Sequence, residues 1–193
     1  MYTVGTHAGL DSPSNSIKYG AGNNSTLNTL YNVDKSFGAF WDYFLNSSYK
    51  DNTIVIFTAD HTHYYEKPYI ELMKDDYTYK PVFVDTIPLI IYDPIHKLPN
   101  RYDAKDDTSL ALAPTILHLL NYKNVKNAFL GTSIFDDEKK LHIHAEEKQF
   151  WYIFNNRVYS EKEIPSECLD EFIKDKEKVL NFYSNERNNR MIK

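Results

Sequence analysis

Apolar residues between positions 27 and 45 recur at steps of three and four, which predicts an amphipathic helix that buries one face. The segment before it, residues 9–26, is rich in Gly, Ser, Asn and Pro and predicts a loop. The apolar positions expected on the buried face of the helix are Leu30, Val33, Phe37, Phe40, Trp41 and Phe44.

Two short apolar runs follow the predicted helix. Residues 53–58 form a continuous run rich in β-branched side chains, directly after a polar turn at residues 50–52. Residues 86–92 form the second run, in which Pro88 favours the start of a strand or the edge of a sheet. Such runs are typical of central strands that a parallel sheet buries on both faces. Helix, tight turn and buried strand in this order predict an α/β fold with a mostly parallel sheet flanked by helices.

The second half of the chain carries a different pattern. Residues 109–120 predict a helix, and Pro114 sets its start near Ala113 because proline is tolerated in a first helical turn. Residues 150–159 read as two short strands joined by an Asn-Asn turn, which is typical of an antiparallel hairpin. A charged helical pattern begins near Ser166. We therefore expect a small antiparallel hairpin region near the C-terminus, followed by a helix.

Composition excludes several classes of function. The formal net charge of -5 at pH 7 argues against a nucleic-acid-binding surface, because phosphate backbones attract basic faces. Cys168 is the single cysteine, which excludes a disulfide within the chain and a paired-cysteine metal site. No run of about 18 apolar residues occurs, so we expect no membrane span, and we see no signal-peptide pattern at the start.

Asp60 and His61 are the strongest candidates for chemistry, because they directly follow the first apolar run. Ligands of open α/β sheets bind beyond the carboxyl ends of the strands, and a carboxylate with an imidazole there can bind a divalent cation. The alternative is that Asp60 caps the next segment and His61 packs locally. His63 and Glu66 lie close by and are candidate substrate contacts, with a solvated loop as the alternative.

Asp60 and His61 end a longer segment, residues 51–61, that reads DNTIVIFTADH. This segment and others in the same order resemble the sulfatase/alkaline-phosphatase superfamily, in which an apolar stretch links DNT to DH. The likeness is greatest to lipoteichoic acid synthases, which are phosphoglycerol transferases, and to phosphoethanolamine transferases. The other similar segments are Thr6-His7 (THGP), residues 31–40 (Y-x-x-D-x-x-x-G-x-F), 87–92 (IPLIIY), 114–120 (PTILHLLG) and 131–135 (G-x-S-L-F).

The resemblance implies part of an alkaline-phosphatase-like fold and one divalent metal ion, Mn, Zn, Mg or Ca, as cofactor. In such enzymes a metal-activated Thr or Ser hydroxyl attacks a phosphate or sulfate ester, and the covalent intermediate passes to water or an alcohol. By motif position, Asp60 and His61 are expected to bind the metal. His7 is expected to contact the substrate, which can be the headgroup of a lipid, and to stabilise or protonate the leaving oxygen. Phosphoglycerol-type esters are favoured over sulfate esters.

The resemblance also implies that parts of the site lie elsewhere. The family's first metal-binding acid and its nucleophile precede the histidine motif, so we expect them in an N-terminal half of a longer parent protein. We expect no nucleophile in this chain and no activity from it alone. Relatives are typically membrane-anchored with an extracytoplasmic catalytic domain. We divide the chain into residues 1–160, part of the catalytic domain, and residues 161–193, a helical extension.

Two other functions stay open at this point. The first is a non-catalytic module that binds a headgroup, a glycan or a protein through a tyrosine-rich loop. The second is a self-contained metallohydrolase that uses His7, Asp60, His61 and His63 as a full ligand set. The tyrosines of the proposed binding loop are Tyr64, Tyr65, Tyr69, Tyr77 and Tyr79.

Overall fold

A computed structural model describes residues 5–76, 79–80, 82–104, 106–122, 129–137, 140–146 and 149–191. The chain divides into two compact units, Met1–Leu98 and Pro99–Lys193. The predicted division into a catalytic-domain part, residues 1–160, and a helical extension, residues 161–193, stays a prediction. The two compact units are defined by their internal contacts and do not test where a family domain ends. Within the described residues, no helix has the length and hydropathy that crossing a membrane requires.

The first unit contains helices α1 (Ser25–Leu45) and α2 (Lys67–Met73) and strands β1 (Val55–Thr58) and β2 (Leu89–Tyr92). The helix predicted from the apolar periodicity is confirmed, and it begins where Asn24 accepts a hydrogen bond from the Leu27 amide at 3.0 Å. An asparagine at this position satisfies one of the amide groups that a helix start leaves without a partner.

Aromatic side chains pack α1 against the two strands. The Phe37 and Phe57 ring centroids lie 4.5 Å apart, and the Trp41 and Phe44 rings meet Tyr92 edge-on at 5.3 and 5.4 Å. Edge-to-face rings of this kind add stability beyond the apolar area that they bury. The C-terminal half of the predicted apolar face is therefore the part that packs against the sheet.

The mostly parallel sheet expected from the two apolar runs is not shown among the described residues: β1 and β2 pair antiparallel, with Val55 opposite Tyr92 and Thr58 opposite Leu89. The described residues contain antiparallel sheets only. An apolar run indicates that a strand is buried but not its direction, which the connection decides. Full burial is also wrong, since Ile90 is 52% exposed.

The second unit contains a 3-10 turn (Ser109–Ala111), helix α3 (Leu112–Leu119), a three-stranded antiparallel sheet and helix α4 (Leu169–Met191). The predicted hairpin is confirmed. Its asparagines, Asn155 and Asn156, have φ of 52° and 59°, as a type I′ turn requires. The strands are β3 (Ile143–Glu146), β4 (Gln149–Phe154) and β5 (Arg157–Ser160), and the core cluster is Leu141, Ile143, Tyr152, Cys168, Phe172 and Val179.

Two of the family-like motifs meet in the second unit. The buried Thr115 hydroxyl donates to the Ala111 carbonyl at 2.7 Å and accepts the Ile134 amide at 3.0 Å. A Cβ on Gly131 would lie 2.5 Å from the Leu110 carbonyl oxygen, so only glycine permits this approach. These motif residues hold the loop of residues 131–135 against the start of α3.

Candidate functional site

Asp60 and His61 lie just beyond the end of β1 and are both exposed to solvent. The Asp60 Oδ2 and His61 Nε2 atoms are 3.7 Å apart, and Asp60 Oδ1 accepts the His61 amide at 3.1 Å. The neighbouring Thr62 is buried, which fixes the backbone at this point. Asp60 and His61 are thus held at the surface, between the end of β1 and the buried Thr62.

Three imidazoles near the strand end share one hydrogen-bonding arrangement. The Nδ1 atoms of His7, His61 and His63 each lie within 3.0 Å of the carbonyl oxygen of the next residue. A carbonyl oxygen only accepts, so each Nδ1 carries the proton and donates it. The Nε2 atom of a neutral ring then keeps a lone pair for a metal or a proton. This is the arrangement that histidine ligands of metals usually have.

The Asp60–His61 pair fits a divalent cation as two of its ligands. Oxygen and nitrogen ligands about 2.1 Å from one tetrahedral ion lie roughly 3.4 Å apart, which is close to the observed 3.7 Å. Within the described residues, however, no group of three or more His, Cys, Asp or Glu side chains could hold a metal ion. The ligand set proposed for a self-contained metallohydrolase, all of which is described, therefore does not converge.

Tyr64 connects His7 to the metal-ligand candidates. Its ring centroid lies 5.3 Å from that of His61, edge-on, and 6.4 Å from that of His7. Phe83 stacks on Tyr64 at 4.7 Å and contacts His61 at 4.9 Å. No local sequence pattern in the irregular segment around Phe83 predicts this contact.

His63 and Glu66 make protein contacts of their own. The His63 ring stacks on Tyr69 at 4.8 Å, and its Nε2 lies 3.9 Å from Glu66 Oε1. The Glu66 carboxylate accepts the Gly9 amide through both oxygens, at 3.0 and 3.3 Å. The His63 side chain is 13% exposed and the Glu66 side chain is 30% exposed, so His63 is the better packed of the two.

Burial affects the tyrosines beside the site. Desolvation raises the pKa of the Tyr69 hydroxyl, and the Asp85 carboxylate adds to the rise. The Tyr79 pKa is raised by the same two causes. Both hydroxyls are therefore neutral in the physiological range. Tyr64 and Tyr65 are half exposed, whereas Tyr77 lies outside the described residues.

A family model described as Sulfatase matches residues 1–122. The chain belongs to the sulfatase family. Its matched region includes every candidate site residue identified in the sequence, from His7 to Glu66. Members of this family generally use a metal ion, in agreement with the expected cofactor class. No curated protein matches this sulfatase-family chain at a significant level.

Proposed function

We propose that this chain supplies two metal ligands, Asp60 and His61, and an acid–base residue, His7, to a metal-dependent phosphotransferase or hydrolase. The substrate class is a phosphate ester of the phosphoglycerol type or a sulfate ester. The observation that carries the proposal is the 3.7 Å spacing of Asp60 Oδ2 and His61 Nε2, together with the Nδ1–H bond of His61 to the Thr62 carbonyl. That bond leaves Nε2 as the coordinating nitrogen.

A divalent ion bound there would supply Lewis-acid stabilisation of charge on the ester oxygens. The Asp60 carboxylate and His61 Nε2 would hold it, and His61 cannot rotate freely because its ring packs against Tyr64 and Phe83. His7 Nε2 would carry a proton to the leaving oxygen, since its Nδ1 already donates to the Ala8 carbonyl.

We also propose that residues outside this chain complete the site and the sheet. Two protein ligands are fewer than the three or four that catalytic and structural zinc sites normally use. Leu89 and Ile90, whose side chains lie on opposite faces of β2, are both exposed, as apolar strand residues are when further structure covers a sheet. The remaining ligands, the nucleophile, the parallel part of the sheet and a membrane anchor would belong to an N-terminal half of the parent protein.

The first test is equilibrium dialysis of the chain with Mn²⁺ and Zn²⁺. We expect weak one-to-one binding that Asp60→Ala and His61→Ala each reduce by about tenfold or more, because each removes one of two ligands. His118→Ala is the matched control, because His118 is an exposed imidazole 3.2 Å from a carboxylate, Asp136, in the other unit. Equal binding by Asp60→Ala and the wild type would contradict the proposal.

The second test measures hydrolysis of a p-nitrophenyl phosphodiester and of p-nitrophenyl sulfate. We expect no turnover by this chain and turnover by the chain extended with the upstream part of its gene. Turnover by the chain alone, lost in His61→Ala, would contradict the need for further residues.

A binding module is the second candidate function, favoured by the half-exposed rings of Tyr64 and Tyr65 and by the incomplete ligand set of the described residues. Such a module would bind a headgroup, a glycan or a protein with the tyrosine rings. Absence of metal binding both by the chain and by the extended protein would favour this function over catalysis.

A further inference from the structure

Glu66 joins two segments that are far apart in the chain. Its two carboxylate oxygens accept the single Gly9 amide proton at 3.0 and 3.3 Å, across a sequence separation of 57 residues. An amide-to-carboxylate bond is charge-assisted and is stronger than a bond between neutral groups. Glu66 thus ties the segment that contains His7 to the segment that follows Asp60 and His61.

Gly9 lies in the turn that carries His7. The Leu10 amide donates to the His7 carbonyl at 3.2 Å, and Gly9 has a φ of +76° at the third position of this four-residue turn. Glycine adopts that conformation without steric cost, and the turn directs the Gly9 amide away from the turn's own hydrogen bond. The bond to Glu66 therefore attaches the turn at its tip, two residues from the imidazole.

Glu66 is itself held in place on its other sides. It precedes α2, and its carbonyl accepts the Tyr69 and Ile70 amides at 3.0 and 2.9 Å. Its own amide donates to the Tyr64 carbonyl at 2.8 Å, which links Glu66 to the residue whose ring lies beside His7 and His61. A fixed backbone on the Glu66 side makes the carboxylate a rigid attachment point.

We propose that Glu66 is a positioning residue that sets where His7 stands relative to Asp60 and His61. In this role it acts through the Gly9 amide, while the substrate contact expected for Glu66 from the sequence stays a prediction. The proposal rests on the proposed function only in assigning acid–base chemistry to His7; the attachment itself rests on the hydrogen bonds.

The decisive variant is Glu66→Asp. It keeps the charge and suits the start of α2, since aspartate is a good residue to precede a helix, but it withdraws the carboxylate by one C–C bond, about 1.5 Å. Glu66→Gln keeps one accepting oxygen at full length and should retain part of the bond. Glu71→Ala is the matched control, because Glu71 is an exposed glutamate on α2 that pairs with Lys74 at 2.6 Å.

The measurements are amide hydrogen exchange of Gly9 and the nuclear Overhauser effect between the His7 and Tyr64 rings. We expect Glu66→Asp to speed Gly9 exchange by roughly 10- to 100-fold, as loss of a charge-assisted bond predicts, and to weaken the ring signal in a protein that stays folded at the temperature of the measurement. Glu66→Gln should fall between Glu66→Asp and the wild type. Unchanged Gly9 exchange and an unchanged ring signal in Glu66→Asp would overturn the proposal.

Paramagnetic broadening by Mn²⁺ connects the attachment to the metal site. In the wild type we expect added Mn²⁺ to broaden both His61 and His7 ring signals, and in Glu66→Asp to broaden His61 equally but His7 less. Equal broadening of His7 in both proteins would count against a positioning role. Absence of any His61 broadening in the wild type would count against the metal site, and the exchange measurement would still decide the role of Glu66.

Discussion

Individual residues near the end of β1 owe their chemistry to short backbone contacts. Each of His7, His61 and His63 donates its Nδ1–H to the carbonyl of the residue after it. Such a bond depends on the local backbone conformation and fixes which ring nitrogen can bind a metal or carry a proton. The partners of Nε2 differ, since Asp60 faces His61 and Glu66 faces His63. The same residue type therefore serves different roles within one short segment.

At the residue scale, Tyr152 yields a prediction about alkaline pH. It is fully buried, and its hydroxyl has no hydrogen-bond partner in the part of the chain that the structure describes. Desolvation, and next the Asp175 and Glu171 carboxylates, raise its pKa above the ordinary value of 10.0. Above pH 10 the unfolded state loses this proton while the folded state keeps it, so stability falls as the pH rises.

We expect Tyr152→Phe to leave the free energy of unfolding at pH 7 unchanged or to raise it by about 1 kcal/mol, because no hydrogen bond is lost. The loss of stability above pH 10 should be shallower than in the wild type. Urea denaturation between pH 7 and pH 11 measures both effects, with the exposed Tyr122→Phe as control. A destabilised variant with an unchanged pH slope would show that the hydroxyl has a partner.

At the scale of elements, the start of α1 is joined to α2. Asn24 accepts the Leu27 amide at 3.0 Å, and its side-chain nitrogen donates to the Pro68 carbonyl at 3.1 Å. Four residues further along, Asn28 is fully buried and binds Asp11, the Gly22 carbonyl and the Tyr19 amide. Asparagine amides thus fix the loop before α1 and the approach of α2, which carries Glu66 at its start.

We expect Asn24→Ala to lower the free energy of unfolding by about 1–2 kcal/mol, because it removes both the helix cap and the bond to Pro68. Asn24→Asp keeps an accepting oxygen for the cap but loses the donor, so it should cost less than about 1 kcal/mol. Chemical denaturation of both variants measures the difference. Equal losses would show that the bond to Pro68, and not the cap, carries the stability.

At the scale of the whole molecule, each compact unit has its own aromatic or apolar core. Trp41 lies in the aromatic cluster of the first unit, and Trp151 lies on β4 of the second. The chain contains two tryptophans. The Trp41→Phe variant therefore keeps a single fluorescent reporter in the second unit, and the Trp151→Phe variant keeps a single one in the first unit. Regions with separate cores can unfold with separate free energies.

We expect Gly131→Ala to lower the unfolding midpoint reported by Trp151 more than the midpoint reported by Trp41. The added Cβ would overlap the Leu110 carbonyl at 2.5 Å, at a cost of about 1–3 kcal/mol to the second unit. Gly38→Ala is the control, since the space around Gly38 is open and alanine favours a helix. Equal shifts at both reporters would mean that the two units unfold as one.

The sequence by itself determined the elements whose signals are local. Periodicity predicted α1 because one helix face recurs every three to four residues, and the Asn-Asn turn predicted the hairpin because its backbone needs positive φ at both positions. Motif order likewise led to the family that the match over residues 1–122 establishes. The sequence also placed Asp60 and His61 directly after a strand as candidate metal ligands. Their role as metal ligands stays a prediction.

Only the tertiary structure decided the features that depend on distant residues. The antiparallel direction of β1 and β2 follows from how a connection of some thirty residues returns, which an apolar run does not encode. The stacking of Phe83 on Tyr64 and the bond of Glu66 to Gly9 join segments that have no shared pattern in the sequence. Contacts of this kind arise from packing, because each residue's partner is selected by the fold and not by its neighbours along the chain.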